Sequence, residues 1–580
     1  MNAAFFITGV KKISLFQIVF FFTLLICFLP LLPGLAGLFL AAFGFMPMIN
    51  QYHFSLTGFY QLANWPGIMD SLLITLLITI SSTLLTAVLA FSILQSCWTS
   101  RWWRKLESLL APILALPHVA FAVGFAFLFT PSGFMARFLT FFSSDTSLVN
   151  WHLINNQYGL GQIFALTIKE IPFILFMSIP LLKQLNLKNT LQTAQSLGYS
   201  QAQAWQKIIF PQWLPKIRFS LFAIMAYSLS VVDVSLVIGP NKPPTLPVLV
   251  WGWLNDADLL TLPRASAGAF LLLLICVFLI YLIRLNEWLI VNKFQNWQIN
   301  GRFSLPVAGQ SAVLFIYSIS VATVFILLIW SFTQRWAYPN ILPSEWSLRF
   351  WLQEWDYLWD IIMTSVYLAL GSATLALLLV FILHEHNAKT THSYFAVPHL
   401  LIAVPIIAPQ LSILFGIQVA TLYIAEQQYC LWVLWSHLFF VFPYVYLALD
   451  GPWRSYDNRL DRVASSLAMP PFKVWWKIKM PILLPAIWIA WAIGISVSLA
   501  QYLPTLMLGA GRISTLTTEA VALASGQDRR ISAIYALLQS LIPFFFYIIA
   551  LFVGRKTGRL DNQARSVAAD DLIAKKYKYN

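Results

Sequence analysis

Uninterrupted apolar stretches of roughly 20 residues recur along the whole chain, and that is the length of helix needed to cross a hydrocarbon core. Ten-residue segments of alternating polarity, the mark of a barrel strand, are absent from the sequence, so helices are predicted. Twelve spans are expected, near 15–44, 70–95, 108–130, 160–182, 217–239, 265–284, 310–333, 361–383, 395–422, 430–449, 486–508 and 532–553. The fold class is therefore an all-α polytopic membrane protein. Trp65, Trp102, Trp103, Trp251, Trp253, Trp336, Trp351, Trp355 and Trp359 lie near predicted span ends, where interfacial aromatic residues gather. Pro112, Pro117, Pro172, Pro180, Pro398, Pro405 and Pro409 fall inside spans and predict kinks or breaks, serving either packing or gating.

The polar connections between spans carry an internal repeat. Gln192-Thr193-Ala194-Gln195-Ser196-Leu197-Gly198, followed by Ile208-Ile209-Phe210-Pro211, returns as Arg462-Val463-Ala464-Ser465-Ser466-Leu467-Ala468, followed by Ile478-Lys479-Met480-Pro481. The offset of 270 positions is constant, so Trp205 aligns with Trp475 and Lys207 with Lys477. A fixed offset of this kind points to duplication. A second likeness pairs Ala115-Leu116-Pro117-His118-Val119-Ala120 with Ala403-Val404-Pro405-Ile406-Ile407-Ala408 at an offset of 288. Twelve spans then divide into a first transmembrane domain (1–284), a linker (285–309), a second transmembrane domain (310–555) and a tail (556–580). An even number of spans per half gives both halves one orientation, a parallel repeat about an axis along the membrane normal.

Composition agrees with a bilayer setting: 59% of the residues are hydrophobic and 10% charged, against about 25% charged in soluble proteins. The net charge of +14 does not point to nucleic acid. With both termini in the cytosol, Lys and Arg show a roughly threefold excess on the cytosolic side, the ordinary positive-inside bias. Lys11-Lys12 before an apolar run resembles a signal peptide, but the run continues to about Phe45 and predicts a retained first helix. Cys27, Cys97, Cys276 and Cys430 are scattered and form no CxxC pair, so neither a disulfide framework nor a metal site is expected. His384, Glu385, His386 and His392 are placed in a short cytosolic loop after the eighth span, as solvated polar residues more than a metal site.

The two repeated loops, about 183–216 and 450–485, are each expected to form a short helix (Thr190 to Leu197; Arg459 to Leu467), a turn, and a second helix rich in Trp and Lys. Gly198 suits a positive φ, whereas Ala468 is less suited to one. Trp205, Trp475 and Trp476 beside Lys207, Lys477 and Lys479 are expected to be exposed. Such chemistry marks a protein interface or a hairpin lying on the inner leaflet; two spaced copies favour the interface. Inside the spans, Asp233 and the residue matched to it, Gln501, are candidates for a translocation path, or outer-end residues reaching interfacial water. Lys169-Glu170 reads as a self-compensating pair near the interface.

On these residues the chain resembles the permease subunits of bacterial binding-protein-dependent ABC importers. Their cytosolic EAA loop reads Glu-Ala-Ala, three residues, Gly, nine residues, then Ile-x-Leu-Pro. Ala194, Gly198, Ile208 and Pro211 match in the first half; Ala464, Ile478 and Pro481 match in the second, with Ala468 replacing the glycine. Gln192 or Arg462 stands for the leading Glu, and Phe210 or Met480 for the Leu. Ser228 to Asp233 and Ser496 to Gln501 resemble a region of the thiamine and ferric-iron importer group, in particular the YnjC-type fused permeases; matching Asp233 with Gln501 requires a two-residue insertion before Gly509. The resemblance implies two fused six-helix permease domains in a bacterial inner membrane. It implies loops that couple, through the positions just named with Leu197 and Leu467, to two copies of a cytosolic ABC ATPase. It also implies a periplasmic substrate-binding protein as partner. This chain has no GxxxxGK[ST] loop, so ATP and Mg are expected on the ATPase, and no cofactor, metal or enzymatic activity is expected here. The competing reading is a twelve-helix ion-coupled secondary transporter, which calls for ionisable residues near mid-membrane.

Overall fold

A computed structural model of the chain describes residues 15–143, 152–299, 303–305, 307, 309–389, 399–421, 428–526 and 528–577. These residues form an almost wholly helical structure, with one short antiparallel pair, Thr333–Arg335 and Glu345–Trp346. Ten helical stretches are long and apolar enough to cross a membrane, and an eleventh is a pair bent by 102°. The helix Phe210–Ser230 fills the place of the expected fifth span. Its first half carries Gln212, Lys216 and Arg218, which lowers its mean hydropathy.

The sides of these helices are sorted for lipid. On Ile68–Cys97 the outward residues are Leu73, Leu77, Leu84 and Val88, while Ser71, Thr75, Thr79, Ser82, Thr83 and Thr86 are buried. Without water, the hydrophobic effect does not drive helices together, and small residues let backbones approach. Two of the hydroxyls turn back on their own helix: Thr75 donates to Ser71 O at 2.6 Å and Thr83 to Thr79 O at 2.7 Å.

Breaks correct several predicted spans. The third is divided into Trp103–Ala115 and His118–Phe129 at Leu116-Pro117. The ninth is divided into His399–Ile407 and Gln410–Thr421 at Ala408-Pro409. Pro117 therefore corresponds to Pro409, an offset of 292, not to Pro405 at 288; Pro405 lies inside a helix. The fifth span breaks at Val231-Val232 before Asp233–Ile238, and the eleventh at 500–502 before Leu503–Gly509.

From the loops onward the two halves keep the offset of 270. Leu246–Leu254 corresponds to Leu516–Ala524. The amide at the start of each is held by a hydroxyl of its half's second span: Leu246 N donates to Thr75 Oγ1 at 2.8 Å, and Leu516 N to Ser365 Oγ at 2.9 Å. Gly239 thus pairs with Gly509 without a gap, and the two-residue insertion is not needed. Asp233 corresponds to Leu503, and Gln501 to Val231.

The halves interlock through their first spans. Leu31–Ala42 packs on Gln410–Thr421 of the second half, and Gly309–Ser331 packs on His118–Phe129 of the first. Both crossings depend on glycine. A Cβ on Gly416 would lie 1.8 Å from Gly34 O, and one on Gly124 would lie 2.7 Å from Thr323 O. Gly124 and Gly416 are themselves 292 apart, so the same close crossing is built twice.

Candidate functional site

The repeated loops have one backbone conformation. Residues 191–210 and 461–480 have the same secondary structure at every position: a helix ending at Ser196 or Ser466, a turn, a four-residue helix, then a π-helical turn at Trp205–Ile209 or Trp475–Lys479. The expected first helices are present as Leu187–Ser196 and Arg459–Ser466. Each ends in a left-handed residue, Gly198 at φ +86° and Ala468 at φ +55°. The end carbonyls are closed in the same way in both. Gly198 N donates to Gln195 O and Tyr199 N to Ala194 O; Ala468 N donates to Ser465 O and Met469 N to Ala464 O. This double bond is the usual way to satisfy a helix's last carbonyls. The next helix starts from a Ser200–Gln203 capping box in the first loop and from Pro471 at its first position in the second, two solutions to the same unpaired amides.

The sequence-predicted residues divide into buried anchors and an exposed face. Ala194 and Ala464 are buried, whereas Gln192, Gly198, Arg462 and Ala468 are exposed; Leu197 is 70% and Leu467 72% exposed. Ile208 and Ile478 are half-buried, while Pro211 is buried and Pro481 exposed. The tryptophans differ from expectation. Trp205 is fully buried against Phe91, Trp475 is half-buried against Phe381, and of the three only Trp476 is exposed. Lys207 and Lys479 are buried as well. A π turn rotates the following side chains relative to a regular helix, so a 3.6-residue reading misplaces them.

Each loop is tied to the end of the second span of its own half. In the first half Gln206 Nε2 donates to Gln95 Oε1 at 3.3 Å. In the second, Lys479 pairs with Glu385 and lies over the Trp453 ring at 4.7 Å. The Gln206 amide also grips the linker, donating to Leu305 O at 2.8 Å and accepting from Leu305 N at 2.9 Å. At the head of the second loop, Tyr456 donates to Asp461 Oδ1 at 2.6 Å. Burial, with this carboxylate beside it, holds the Tyr456 phenol above its usual range.

The histidines after the eighth span are also placed differently. His384, Glu385 and His386 belong to the helix Arg349–Lys389. His384 stacks on Tyr446 at 4.2 Å and His386 on Phe20 at 3.5 Å, so these rings are buried among aromatics and not solvated. His392 lies outside the described residues. Among the described residues no three His, Cys, Asp or Glu side chains converge as a metal-binding group.

A second constellation lies between the halves. His118, first residue after the Pro117 break, meets Glu170 at 2.7 Å and lies against the Tyr227 ring at 4.6 Å. Asp233 is buried at 9% exposure and does not reach outer water; Oδ1 accepts from Val234 N at 2.9 Å. From the second half, the ring of Tyr502 lies 6.3 Å from that of Trp251. Gln501 Oε1 accepts from Gln410 Nε2 at 2.8 Å, and Gln410 is the 292-offset counterpart of His118. Nearby, His437 joins Ser498 Oγ at 2.8 Å to Thr505 Oγ1 at 2.9 Å; the 270-offset counterparts, Ser228 and Ser235, have no such ring between them.

Lys169 and Glu170 form no ion pair with each other. Adjacent helical residues point about 100° apart, and Lys169 Nζ donates instead to Ile113 O at 2.9 Å and Leu114 O at 3.4 Å. These are end carbonyls of the helix broken at Pro117, where proline has no N–H to offer Ile113 O and Leu116 N donates to it at a long 3.3 Å. The lysine adds a second and shorter bond there. The participation of His118, Tyr227, Gln410, His437 and Tyr502 is not anticipated from the sequence. One signal is available there: polar residues directly after an intraspan proline, as at His118 and Gln410.

No protein-family model matches the chain. It is 29% identical over 507 residues to the inner membrane ABC transporter permease protein YnjC of Escherichia coli strain K12, covering 87% of this chain and 92% of that protein. It is 24% identical over 440 residues to the thiamine transport system permease protein ThiP of Haemophilus influenzae, covering 72% of this chain and 75% of that protein. A putative 2-aminoethylphosphonate transport system permease protein, PhnV of Salmonella typhimurium, is 24% identical over 239 residues, 86% of its own length but 40% of this one. Over most of its length, this multi-pass membrane protein is thus a relative of the ABC transporter permease proteins.

Proposed function

We propose that the chain is the transmembrane subunit of an ATP-driven importer in a bacterial inner membrane, built of two fused permease domains (1–284 and 310–555). The observation that carries this reading is the loop conformation repeated residue for residue over 191–210 and 461–480. Two copies of one ATPase subunit need two like sockets, and the exposed Leu197 and Leu467, with Gln192, Gly198, Arg462 and Ala468 around them, supply matching faces. A large exposed apolar side chain held on a rigid turn is suited to burial in a partner. With both loops and both termini in the cytosol, the ATPases bind there and a periplasmic binding protein delivers substrate to the opposite face.

The mechanism follows from the ties described above. Closure of the ATPases on ATP and Mg, both bound by the ATPases, moves the two loops together. Gln206–Gln95 and Lys479–Glu385 pass that movement to the second span of each half, and the interlocked first spans make the halves move as a pair. The polar cluster between the halves lines the path. Hydrolysis is assigned to the partner, since this chain carries no phosphate-binding loop.

The test is co-purification of the chain with an ABC ATPase expressed from its genomic neighbourhood. Two ATPase copies per chain are expected, and the double variant Leu197→Asp/Leu467→Asp is expected to lose them while the chain remains folded. The ionisable residues within the bundle, His118, Glu170 and Asp233, give the ion-coupled alternative a specific footing. Substrate uptake into ATPase-free vesicles driven by an ion gradient alone would establish that alternative and overturn the importer.

A further inference from the structure

The linker between the halves is bound to the first loop along its length. It leaves the helix Leu262–Trp288 through a π turn, Leu289–Lys293, and continues in a short helix, Gln295–Ile299. Three ties hold it. Glu287, at its start, pairs at 3.2 Å with Arg218 of the helix that follows the loop. Tyr199, next to the left-handed Gly198, donates from its hydroxyl to Ile299 O at 3.4 Å. The Gln206 amide grips both backbone groups of Leu305.

So held, the linker brings apolar side chains to the loop turn. Ile299 is 71% and Phe303 70% exposed. Phe303 is four residues from Ile299, and four residues reach about 14 Å at most, so it stays near the turn that carries the exposed Leu197. Trp288, at the end of its span, is placed as an interfacial anchor. Ile299, carried out to the loop turn, is not.

The second loop shows what the linker stands in for. At the offset of 270, Ala202 and Gln206 correspond to Phe472 and Trp476, and both of these rings are exposed. The first loop therefore has a small residue and an amide where the second has two aromatic rings, and that amide is the group that grips the linker. After the last span the chain does not turn back in this way; it continues as one helix, Arg529–Tyr577. Two copies of one ATPase present identical surfaces, so the two loops have to offer like apolar faces to them. Large apolar groups exposed beside an interface favour burial in it.

We infer that the linker completes the first ATPase socket: Ile299 and Phe303 supply in the first half the apolar contact that Phe472 and Trp476 supply in the second. The occupant of both is the ATPase subunit. The inference rests on the importer reading and adds a surface to it.

The experiment uses the full chain assembled with its purified ATPase in nanodiscs. The photo-cross-linker p-benzoylphenylalanine replaces Phe303 in one protein and Leu197 in another, and mass spectrometry identifies what each captures. Both positions are expected to capture the ATPase. The variant Ile299→Asp/Phe303→Asp should weaken one of the two ATPase sites at least about tenfold, as loss of apolar interface anchors does, and leave the other unchanged. Phe472→Asp/Trp476→Asp should do the same to the opposite site. Thermal unfolding of each variant separates lost binding from lost folding. If position 303 captures phospholipid or nothing while position 197 captures the ATPase, the linker contact is overturned and the importer stands. Unchanged affinity of both sites in either folded variant has the same consequence. If neither position captures the ATPase, the importer reading itself falls.

Discussion

Gly198 and Ala468, 270 positions apart, hold the same left-handed position at the end of the same helix, closed by the same pair of backbone hydrogen bonds. One is the residue that adopts this conformation freely and the other a residue that resists it, by about 1 kcal/mol or somewhat more. The second loop keeps its shape because its surroundings hold it.

That difference predicts opposite responses to exchange. Ala468→Gly should raise the stability of the purified protein by about 1 kcal/mol, and Gly198→Ala should lower it by a similar amount. A Cβ on Gly198 meets nothing within 4 Å, so the cost there is conformational and not steric. Gly198→Asn, which tolerates the left-handed region, should therefore keep ATPase co-purification, and Gly198→Val should lose it. Thermal melts and co-purification yields distinguish these outcomes.

The glycine crossings between the halves should not tolerate even a methyl group. Gly416→Ala places a carbon against Gly34 O and Gly124→Ala one against Thr323 O; separating backbones packed this closely costs about 1–3 kcal/mol. Either variant should lower the melting temperature in detergent, and the two together should do so less than additively if the interlock acts as one unit.

Lys169 acts through the helix break beside it. Lys169→Met leaves Ile113 O with only the 3.3 Å bond from Leu116 N and removes the bond at 2.9 Å, at a cost of about 1 kcal/mol. Lys169→Arg, which keeps a donor, should recover part of the loss. A variant Pro117→Ala, which restores an amide at that point, should make Lys169→Met less damaging; equal damage in both backgrounds would show that the lysine serves something else.

The loop ties of the two halves should differ in strength. Glu385→Gln strands the buried Lys479 ammonium and should cost about 3–5 kcal/mol. Gln95→Ala removes a neutral contact with Gln206 at 3.3 Å and should cost about 1 kcal/mol. The double variant Glu385→Gln/Lys479→Gln should be milder than Glu385→Gln alone, because no charge is left unpaired. Chemical denaturation of the four proteins measures this directly.

Several features are legible in the chain of residues itself. Apolar runs of membrane-crossing length impose helices, because backbone groups inside lipid have no other partner. The unbroken offset between Ala194 and Ala464, and between Pro211 and Pro481, implies two loops of one design, and the loops have one conformation. What the local pattern does not convey is which polar groups meet. His118 and Glu170 are 52 residues apart, and nothing in either segment marks the other. Lys169 and Glu170 resemble a pair because they are adjacent, yet helix geometry turns them to different neighbours. Between Pro405 and Pro409, only packing decides which one breaks the span.

The sequence by itself thus determined the all-helical membrane class, the duplication and the positions of the two loops, since each depends on hydrophobicity and repetition along the chain. The tertiary structure alone decided that the first spans cross to the opposite halves, that Trp205 and Lys207 turn inward, and that His118 meets Glu170. Those outcomes depend on close backbone approach, on the rotation introduced by a π turn and on long-range electrostatics, none of which is encoded within a local stretch of residues.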